Sequence, residues 1–399
     1  MRKHISLLMI LFLAWPLASG CWNRREMNEL AIVGAMGIDK AGDQKVVTTQ
    51  IIDPGQVAAK QSKTVQTPVM TYQEKGNTIF QAVRRMSTET ARELYFSHLR
   101  VLVIGEELAR EGIGEILDVF SRDQEVRPDF FIVVAKDAKA ENVLKVLTGL
   151  EDIPANKLFS SLETSEKMWA PSMTVTLDKL ISDTASDGVQ PHLTGLLMTG
   201  SMRKGENQAN VQEISQDVRL KYNGIAVFKD DKLISWMNES NSKAVNYVLG
   251  NVRGTVEEVP CSAGKRKIAL EVIRMKSNMG VKVANGLPRG TVQVHVEANI
   301  GEVQCKVKLM KSKTIEDVET RANEQLKKNI EEAIKTVQEQ YKIDIFGFGE
   351  ALHRSNPVYW KKVKNNWDEK FATMPVHIKT DVQIRRVGTI GKSPMEKLD

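Results

Sequence analysis

Apolar and polar residues alternate with two different periods along the first half of the chain, and the change of period predicts its elements. Apolar residues dominate residues 30–39, 97–104 and 130–135, which are predicted to be buried strands, and further strands are predicted at 45–52 and 69–73. Apolar residues recur every three or four positions, as on one face of a helix, in 77–86, 106–120, 138–147, 155–168 and 174–182. Strands that alternate with helices indicate a sheet covered by helices. We therefore expect an N-terminal α/β domain over residues 21–195.

One helix in this domain illustrates the reasoning. Asn77 is a good capping residue, and Ile79, Phe80, Val83 and Met86 follow it at helical spacing. We expect these four side chains to face the core. Residues 56–68, earlier in the chain, are rich in Gln, Ser, Thr and Lys and have no hydrophobic period, and they are predicted to form a mobile surface loop.

The middle of the chain is shorter and less regular. Strands are predicted at 193–198, 225–228 and 233–236, with a polar connection over 203–216 and a helix over 242–249. Gly250 and Gly254 mark a boundary. We expect a small middle α+β domain over residues 196–254.

The last third has the clearest pattern. Residues 267–275, 291–298 and 303–309 alternate apolar and polar side chains and are predicted to be half-buried antiparallel strands. Thr314 and Asp317 have the spacing of a capping box that starts a long helix over 314–341. Apolar residues step along one face of that helix: Ile315, Val318, Ala322, Leu326, Ile330, Ala333, Val337 and Tyr341. With a closing strand at 376–384, these elements predict a C-terminal α+β domain over 255–399, in which an antiparallel sheet packs against the long amphipathic helix. The predicted fold class is thus α+β, with three mixed α/β domains.

The first 20 residues have the composition of a secretory signal peptide. Arg2 and Lys3 precede an apolar run that is shorter than the roughly 20 residues of a membrane-spanning helix, and Pro16 interrupts it. We expect residues 1–20 to be cleaved off. Cys21 follows Ser19-Gly20 directly, which resembles the bacterial lipobox, although Ala18 stands where leucine is usual. Cys21 is therefore the predicted lipidation site and the new N-terminus; the alternative is an ordinary secreted protein in which it is a stray thiol.

Composition and charge limit the classes of protein to which this chain can belong. A chain of 399 residues with 42% apolar and 27% charged residues is long enough for two or three globular domains. Its formal charge of +6, which becomes +4 when two basic residues leave with the signal peptide, is spread among 50 acidic residues, and this is not the footprint of a nucleic-acid-binding protein. Arg24-Arg25 beside the anchor suits anionic lipid headgroups. Cys261 and Cys305 could form a disulfide in an exported protein or remain separate thiols.

Motifs of catalysis and metal binding are not recognisable. The six histidines are scattered singly, and Gly347-Phe-Gly349 lacks the third glycine of a dinucleotide-binding loop. Two Ser-x-x-Lys matches, 201–204 and 240–243, have no companion motifs. We predict no catalytic, cofactor-binding or metal-binding residues. Trp360, Trp367 and Phe371 share a helix face that is either a docking surface or core.

Several blocks together resemble the C-subunit family of spore germination proteins, the lipoprotein component of GerA-type nutrient receptors of endospore-forming bacteria. The matching blocks are Gly20-Cys21-Trp22 with Glu26, Leu30 to Val33, Ser97 to Gly105, Gly224 to Phe228, Phe346 to Glu350, Pro357, Trp360, Trp367 and Ile384-Arg385-Arg386.

The resemblance implies a three-domain mixed α/β protein without known catalytic activity. It further implies an anchor on the outer face of the spore inner membrane and assembly with two integral membrane subunits, of A and B type, into a receptor that triggers germination. A free-standing solute-binding lipoprotein of the envelope, or a lipid-anchored envelope enzyme, is the alternative.

Overall fold

The computed structural model describes residues 29–58, 67–261 and 265–388, which fold around two β-sheets. The strands of the first sheet are β1 (Leu30–Ala41), β2 (Gln44–Ile52), β3 (Val69–Gly76), β4 (Glu93–Tyr95), β5 (Val101–Gly105), β6 (Phe131–Lys136), β7 (His192–Thr199), β8 (Arg219–Lys229) and β9 (Lys232–Met237). Their order is β3-β2-β1-β5-β6-β7-β8-β9, and β4 pairs with the start of β1. The central strands β1, β5, β6 and β7 are parallel, and the outer strands are antiparallel.

Helices cover both faces of this sheet. They are α1 (Pro54–Ala58), α2 (Ile79–Arg85), α3 (Glu106–Glu111), α4 (Gly114–Arg122), α5 (Ala140–Leu144), α6 (Pro154–Met168), α7 (Leu177–Thr184), α8 (Met202–Gly205), α9 (Ala209–Gln212) and α10 (Glu239–Leu249). Strand β5 shows why its sequence is apolar throughout: Leu102 and Ile104 pack into one apolar cluster, Val101 and Val103 into the cluster on the opposite face. Both faces of the central strands are therefore buried, as in other parallel sheets.

The second sheet contains β10 (Thr255–Pro260), β11 (Lys267–Ala284), β12 (Leu287–Val303) and β13 (Val376–Arg386), in that order. Strands β11 and β12 form a long hairpin whose turn is Asn285-Gly286. Both turn residues have positive φ angles, 53° and 76°, as a tight two-residue hairpin requires. Four helices connect β12 to β13: α11 (Ser312–Thr336), α12 (Phe348–Ser355), α13 (Pro357–Val363) and α14 (Trp367–Ala372).

Helix α11 lies on this sheet with its apolar stripe inward, as predicted. Val318, Ala322, Leu326, Ile330 and Ala333 are buried against the sheet and α10. The α11 side chains also close the outer edge of β13, because Asn323 Oδ1 accepts from the backbone N of Val382 (2.9 Å) and Glu319 Oε1 from that of Ile384 (2.7 Å). The unpaired N–H and C=O groups at the free edge of a sheet are a template for pairing with another chain. Here two of the N–H groups at the edge of β13 are already bonded to side chains of α11.

The predicted architecture is confirmed: the chain is a mixture of helices and strands with two sheets, and the last sheet packs against a long helix. One pairing differs from the prediction, because β13 is parallel to β12 and the last sheet is mixed rather than wholly antiparallel. The helices between the two strands carry the chain back to the start of β12, which is the crossover that a parallel pair needs.

Three predicted elements of the second half differ in detail. The strand predicted at 303–309 is absent, since β12 already reaches Val303 and the chain then leaves the sheet. The capping box at Thr314 is not formed; α11 begins two residues earlier, after Lys311, without a side-chain cap. The connection 203–216 contains the short helices α8 and α9, and the Asn210 side chain is buried where it accepts from Val218 N (2.9 Å).

Some elements in the first half of the chain also differ from the prediction. The helix predicted over 106–120 is two helices, because Gly112 has a φ angle of 146° and the carboxylate of Asp231 accepts from Gly114 N (3.1 Å). The strand predicted from residue 97 starts at Val101, after a turn. Thr78, rather than Asn77, is the cap of α2. Of the predicted loop 56–68, residues 59–66 lie outside the described part of the chain.

The predicted middle segment joins the first sheet. Residue 196 lies within β7, and β8 and β9 complete the same sheet, whereas the change to the second sheet falls at Gly250, which ends α10 with a left-handed φ of 82°. The division of the chain into independently folding domains stays a prediction. Of the helices in the described ranges, none combines the length and the apolar composition that crossing a membrane takes.

Candidate functional site

The predicted lipidation site, Cys21, lies outside the described residues. The first strand after it is β1, which starts at Leu30. Leu30 and Ala31 pair with Glu93 and Leu94 of β4. From there β1 runs along the interior of the sheet and is buried over almost its whole length. The segment that would carry the anchor therefore enters the fold through a strand that is held on both sides.

At the opposite end of β1, Asp39 is a buried carboxyl group, only 3% exposed. It accepts hydrogen bonds from the backbone N of Ala140 (2.8 Å) and of Glu141 (2.9 Å), at the start of α5. Burial raises the pKa of Asp39, and the two N–H donors oppose that shift. The carboxyl end of parallel strands is where many α/β proteins bind ligands. In this protein Asp39 ties the strand to a helix instead.

The end of β5 is used in the same way. Glu106 accepts from the Trp236 indole Nε1 (3.0 Å), from Asp137 N (2.7 Å) and from Arg110. Burial acts to raise the pKa of Glu106, but these hydrogen bonds and the charge of Arg110 outweigh it and lower the pKa below its ordinary value. Glu106 is thus an ionised group that holds β9 and the end of β6 beside α3.

The Phe346–Glu350 block forms a turn around a buried carboxylate, Asp344. Its Oδ1 accepts from the backbone N of Phe346 (3.0 Å) and Gly347 (2.9 Å), and its Oδ2 accepts from Gly349 N (2.8 Å) and Trp367 Nε1 (3.0 Å). Burial raises the pKa of Asp344 to about 6 against the effect of these donors. All four donors belong to the fold, so the turn is fully occupied by internal contacts.

The same turn joins the two halves of the chain. A side chain at Gly349 would meet Gly188 Cα and Trp367 Nε1, each at 2.7 Å, so the turn approaches the 186–190 segment as closely as backbone can. Asp344 O accepts from Gln190 N (2.7 Å). Trp360, Trp367 and Phe371 are buried behind the turn and are core. Glycine at 349 is explained by this close contact.

A second junction lies between α10, β10 and the end of α6. The Lys243 ammonium lies 4.3 Å from the Trp169 ring centroid and donates to Val256 O (3.1 Å). Tyr247 Oη donates to Glu257 Oε1 (3.1 Å), and burial raises the pKa of the Glu257 carboxyl. Lys243 is the lysine of one Ser-x-x-Lys match, and it is engaged in these contacts. The lysine of the other match, Lys204, pairs with Asp217 (2.9 Å).

The described histidines lie in separate environments. His98 packs edge-on to Tyr95, His353 stacks on Trp360, and His295 Nδ1 lies 2.8 Å from Asp381. Over the described ranges, no group of three or more His, Cys, Asp or Glu side chains could hold a metal ion.

Cys261 and Cys305, left open by the sequence, form a disulfide. It joins the end of β10 to the segment after β12, so it closes the base of the long hairpin. The pattern of side chains in the sequence did not predict either this bond or the turn around Asp344. The one available signal for the turn was an aspartate that precedes two closely spaced glycines, Gly347 and Gly349.

Two family models match this chain. Residues 23–196 match the "Spore germination protein N-terminal domain", and residues 223–388 match "Spore germination B3/ GerAC like, C-terminal". Spore germination protein KC of Bacillus subtilis (strain 168) is 32% identical, with 97% of this chain and 97% of that protein covered. Spore germination protein B3 of the same organism is 23% identical, with 98% and 100% covered. The crystal structure of the GerBC protein has the same fold, with a TM-score of 0.57, 20% identity, and 88% of this chain and 96% of that chain covered.

Proposed function

The chain belongs to the spore germination B3/GerAC-like family, and from this premise we propose that it is the lipid-anchored, non-enzymatic subunit of a nutrient receptor in the spore inner membrane. It acts with two integral membrane subunits, of A and B type, to trigger germination. The observation that carries the proposal is the family match over both halves of the chain, together with 32% identity to a spore germination protein over 97% of its length.

The use of the buried carboxyl groups supports a non-enzymatic role. Asp39 and Asp344 each accept hydrogen bonds from groups of the fold. A general acid or base needs a proton-transfer partner on its substrate within hydrogen-bond reach, and both of these buried side chains are directed at backbone groups of the fold instead. The family's sequence blocks at 346–350 and 360–367 are explained by packing in the same way.

The N-terminal sequence supports the anchor and its side of the membrane. A cysteine directly after Ser19-Gly20 has the lipobox pattern, and acylation of Cys21 with two chains holds a protein on a bilayer where one chain binds only marginally. Export by a signal peptide leaves the body on the outer face. Leu30 starts the fold nine residues after Cys21, so the tether is short.

Mass spectrometry of the N-terminus tests the anchor. Protein purified from spore membranes should begin at Cys21 and carry a diacylglyceryl thioether. Cys21→Ala should accumulate as unprocessed precursor or be released from the membrane, whereas Ala18→Leu, which restores the usual lipobox residue, should be processed as the wild type. An unmodified N-terminus beyond residue 21 would refute lipidation.

Co-purification tests the partner subunits. A tagged chain, solubilised from spore membranes in mild detergent, should bring down two polytopic proteins in stoichiometric amounts. A solute-binding lipoprotein, the alternative function, should be recovered without them and should instead be stabilised by a small solute in thermal unfolding. Recovery of the chain alone, under conditions in which the two membrane subunits stay intact, would exclude the receptor proposal.

A further inference from the structure

The β11–β12 hairpin extends beyond the other strands of the second sheet. Strand β13 begins opposite Gly290, and β10 pairs only with residues 267–272 of β11. Residues 281–289, which we call the hairpin tip, therefore have no third strand of the described ranges beside them. Helix α13 lies against the turn of the hairpin, because Tyr359 Oη donates a hydrogen bond to Gly286 O at 2.9 Å. The tip is thus a protruding ribbon supported by a helix.

The hairpin tip carries two like charges side by side. Lys282 and Arg289 are both exposed and lie directly opposite each other in the pairing of β11 with β12. Like charges at directly opposed positions destabilise a sheet. Two positions nearer the turn, on the same face of the hairpin, Leu287 has 56% of its surface exposed. The stability of the hairpin explains neither the repulsive pair nor the exposed leucine, so both point to a contact outside the fold.

Helix α13 adds a second group of the same composition. Val358, Lys361 and Lys362 have the i, i+3 and i+4 spacing of one helix face, and all three are exposed. Val358 has 71% of its surface exposed. Because Tyr359 holds this helix against the turn, both groups border the hairpin tip. We call their six residues the tip surface: Lys282, Leu287, Arg289, Val358, Lys361 and Lys362.

Acidic residues are missing from the segments that build the tip surface. Residues 276–296 contain three lysines or arginines and no aspartate or glutamate, and residues 351–367 contain four and none. The acidic residues that border these segments or pack against them are paired or hydrogen-bonded: Glu297 with Arg385, Glu350 with Ser186, Asp368 with Lys229, Asp381 with His295, and Asp187 with Lys364. The tip surface therefore has four basic side chains and no carboxylate.

The hairpin tip begins near the end of the first sheet at which the chain enters the fold. A side chain at Gly290 would meet the Phe348 ring at 3.1 Å, and one at Gly349 would meet Gly188 Cα at 2.7 Å. Gly188 comes shortly before β7, which is parallel to β6, β5 and β1, so these four strands start at one end of the sheet. Cys21 precedes β1 by nine residues, and an extended chain of that length reaches at most roughly 30 Å. Acylation of Cys21 would therefore keep this end of the molecule close to the bilayer.

We propose that the tip surface contacts an anionic lipid bilayer, with Leu287 and Val358 in the headgroup region and the four basic side chains at lipid phosphates. Aliphatic side chains flanked by lysine and arginine are typical of surfaces that lie at the boundary between headgroups and acyl chains. A protruding tip bordered by two such groups fits a plane of negative charge, which satisfies all four cations at once. The proposal rests on the proposed anchoring, and the second contact gives the anchored body a fixed orientation on the membrane.

Vesicle flotation of the mature chain, residues 21–399 with Cys21→Ser and the disulfide intact, tests this contact without the acyl anchor. The protein should float with vesicles of equal phosphatidylglycerol and phosphatidylcholine. It should bind vesicles of phosphatidylcholine alone about tenfold more weakly or less, because those vesicles carry no net charge. Salt at about 0.5 M should release most of the bound protein, since it screens exposed charges.

Charge reversal and an apolar substitution test the two components of the tip surface. Lys282→Glu/Arg289→Glu and Lys361→Glu/Lys362→Glu should each weaken binding to the anionic vesicles about tenfold or more. Leu287→Asp should also weaken it about tenfold, because an aliphatic side chain no longer enters the headgroup region.

The single variant Lys282→Glu separates membrane binding from stability. It places a glutamate opposite Arg289, and opposite charges at such positions stabilise a sheet. Its melting temperature should therefore equal or exceed that of the wild type, while its binding to anionic vesicles falls about fivefold. A loss of binding through unfolding would instead lower the melting temperature.

Matched controls lie in the segment that follows the base of the hairpin. Lys311→Glu/Lys313→Glu reverses two exposed charges there, and Met310→Asp changes an apolar residue that is 70% exposed. Both should bind as the wild type. An environment-sensitive dye on Leu287→Cys should brighten and shift to the blue with anionic vesicles, whereas the same dye on Met310→Cys should not.

Three results would overturn the proposal. They are wild-type protein that does not bind the anionic vesicles, tip-surface variants that bind as tightly as the wild type, and a dye at position 287 that does not respond to lipid. If vesicle binding is absent and Lys282→Glu/Arg289→Glu instead fails to co-purify with the membrane subunits, the tip surface docks on an acidic protein surface. The flotation does not depend on acylation, so a failed anchor, shown by the N-terminal mass, is distinguishable from a failed tip contact.

Discussion

The indole Nε1 of Trp367 donates a hydrogen bond to Asp344 Oδ2 across 3.0 Å, with both side chains almost completely buried. The two residues are 23 positions apart, and three backbone N–H groups complete the acceptor sites of the same carboxylate. A loop, a helix and the neighbouring segment 186–190 are thereby fixed around one side chain. The contact explains why a polar residue lies at the centre of an aromatic core.

Asp344→Asn should destabilise the protein by roughly 3 kcal/mol, because the amide NH₂ group replaces one acceptor and leaves buried N–H donors without partners. Chemical denaturation monitored by tryptophan fluorescence measures the change. Asp317→Asn, an exposed aspartate at the start of α11, is the matched control and should change stability by less than about 0.5 kcal/mol. Equal stability of Asp344→Asn and wild type would show that the carboxylate does not hold the turn.

Leu326→Ala should lower the free energy of unfolding by about 2 to 5 kcal/mol, because Leu326 is 4% exposed in the stripe of α11 and its truncation leaves a cavity. Its neighbour Lys327 points to solvent beside Glu331, so Lys327→Ala should stay within about 0.5 kcal/mol of wild type. Urea denaturation compares the two. If Leu326→Ala is as stable as wild type but no longer co-purifies with the membrane subunits, the stripe is an interface rather than core.

The sequence predicted those elements whose burial is expressed in their own residues. Strand β5 is apolar at every position because both of its faces are covered, and α11 repeats apolar residues every three or four positions because one face lies on a sheet. The predicted start of α11 lies within two residues of the observed one, and the predicted end of β5 lies within one residue, although β5 starts later than predicted. In such segments the local pattern and the tertiary environment carry the same information.

Long-range contacts account for what the sequence did not reveal. Gly112 breaks a helix because Asp231, 117 positions from Gly114, binds the next turn. Phe80 has helical spacing with core residues and was predicted to face the core, yet 56% of its surface is exposed. The donors to Asp344 come from the backbone just before and at the start of α12 and from Trp367, which follows α13. Their spacing in the sequence does not distinguish Asp344 from an ordinary turn residue.

Loss of the Cys261–Cys305 disulfide should cost about 2 to 4 kcal/mol, because the bond closes a loop between residues 44 positions apart in the unfolded chain. Thermal unfolding with and without reductant measures it. Reductant should have no further effect on the Cys261→Ala/Cys305→Ala variant, which is the control. Alkylation of both thiols in the native protein without reductant would contradict the bond.

Acid should destabilise the protein through His192, which lies buried at the start of β7. Burial lowers its pKa to about 4, and the nearby Asp183 carboxylate only partly offsets this effect. The unfolded chain binds this proton near pH 6.5 and the folded chain only near pH 4, so between these values the unfolded state holds more protons. The stability contributed by neutral His192 is therefore present above pH 6.5 and is lost as the pH falls through 4, by roughly 3 kcal/mol in total.

Urea denaturation at a series of pH values, with wild type and His192→Gln side by side, isolates this effect. The difference in stability between the two proteins should shrink by roughly 3 kcal/mol from pH 7 to pH 4, since glutamine does not titrate. The comparison cancels the contribution of Asp344, whose raised pKa acts in the opposite direction and stabilises the protein at low pH. Parallel pH profiles for wild type and His192→Gln would show that His192 is protonated as readily in the folded chain as in the unfolded one, and so is not held neutral by burial.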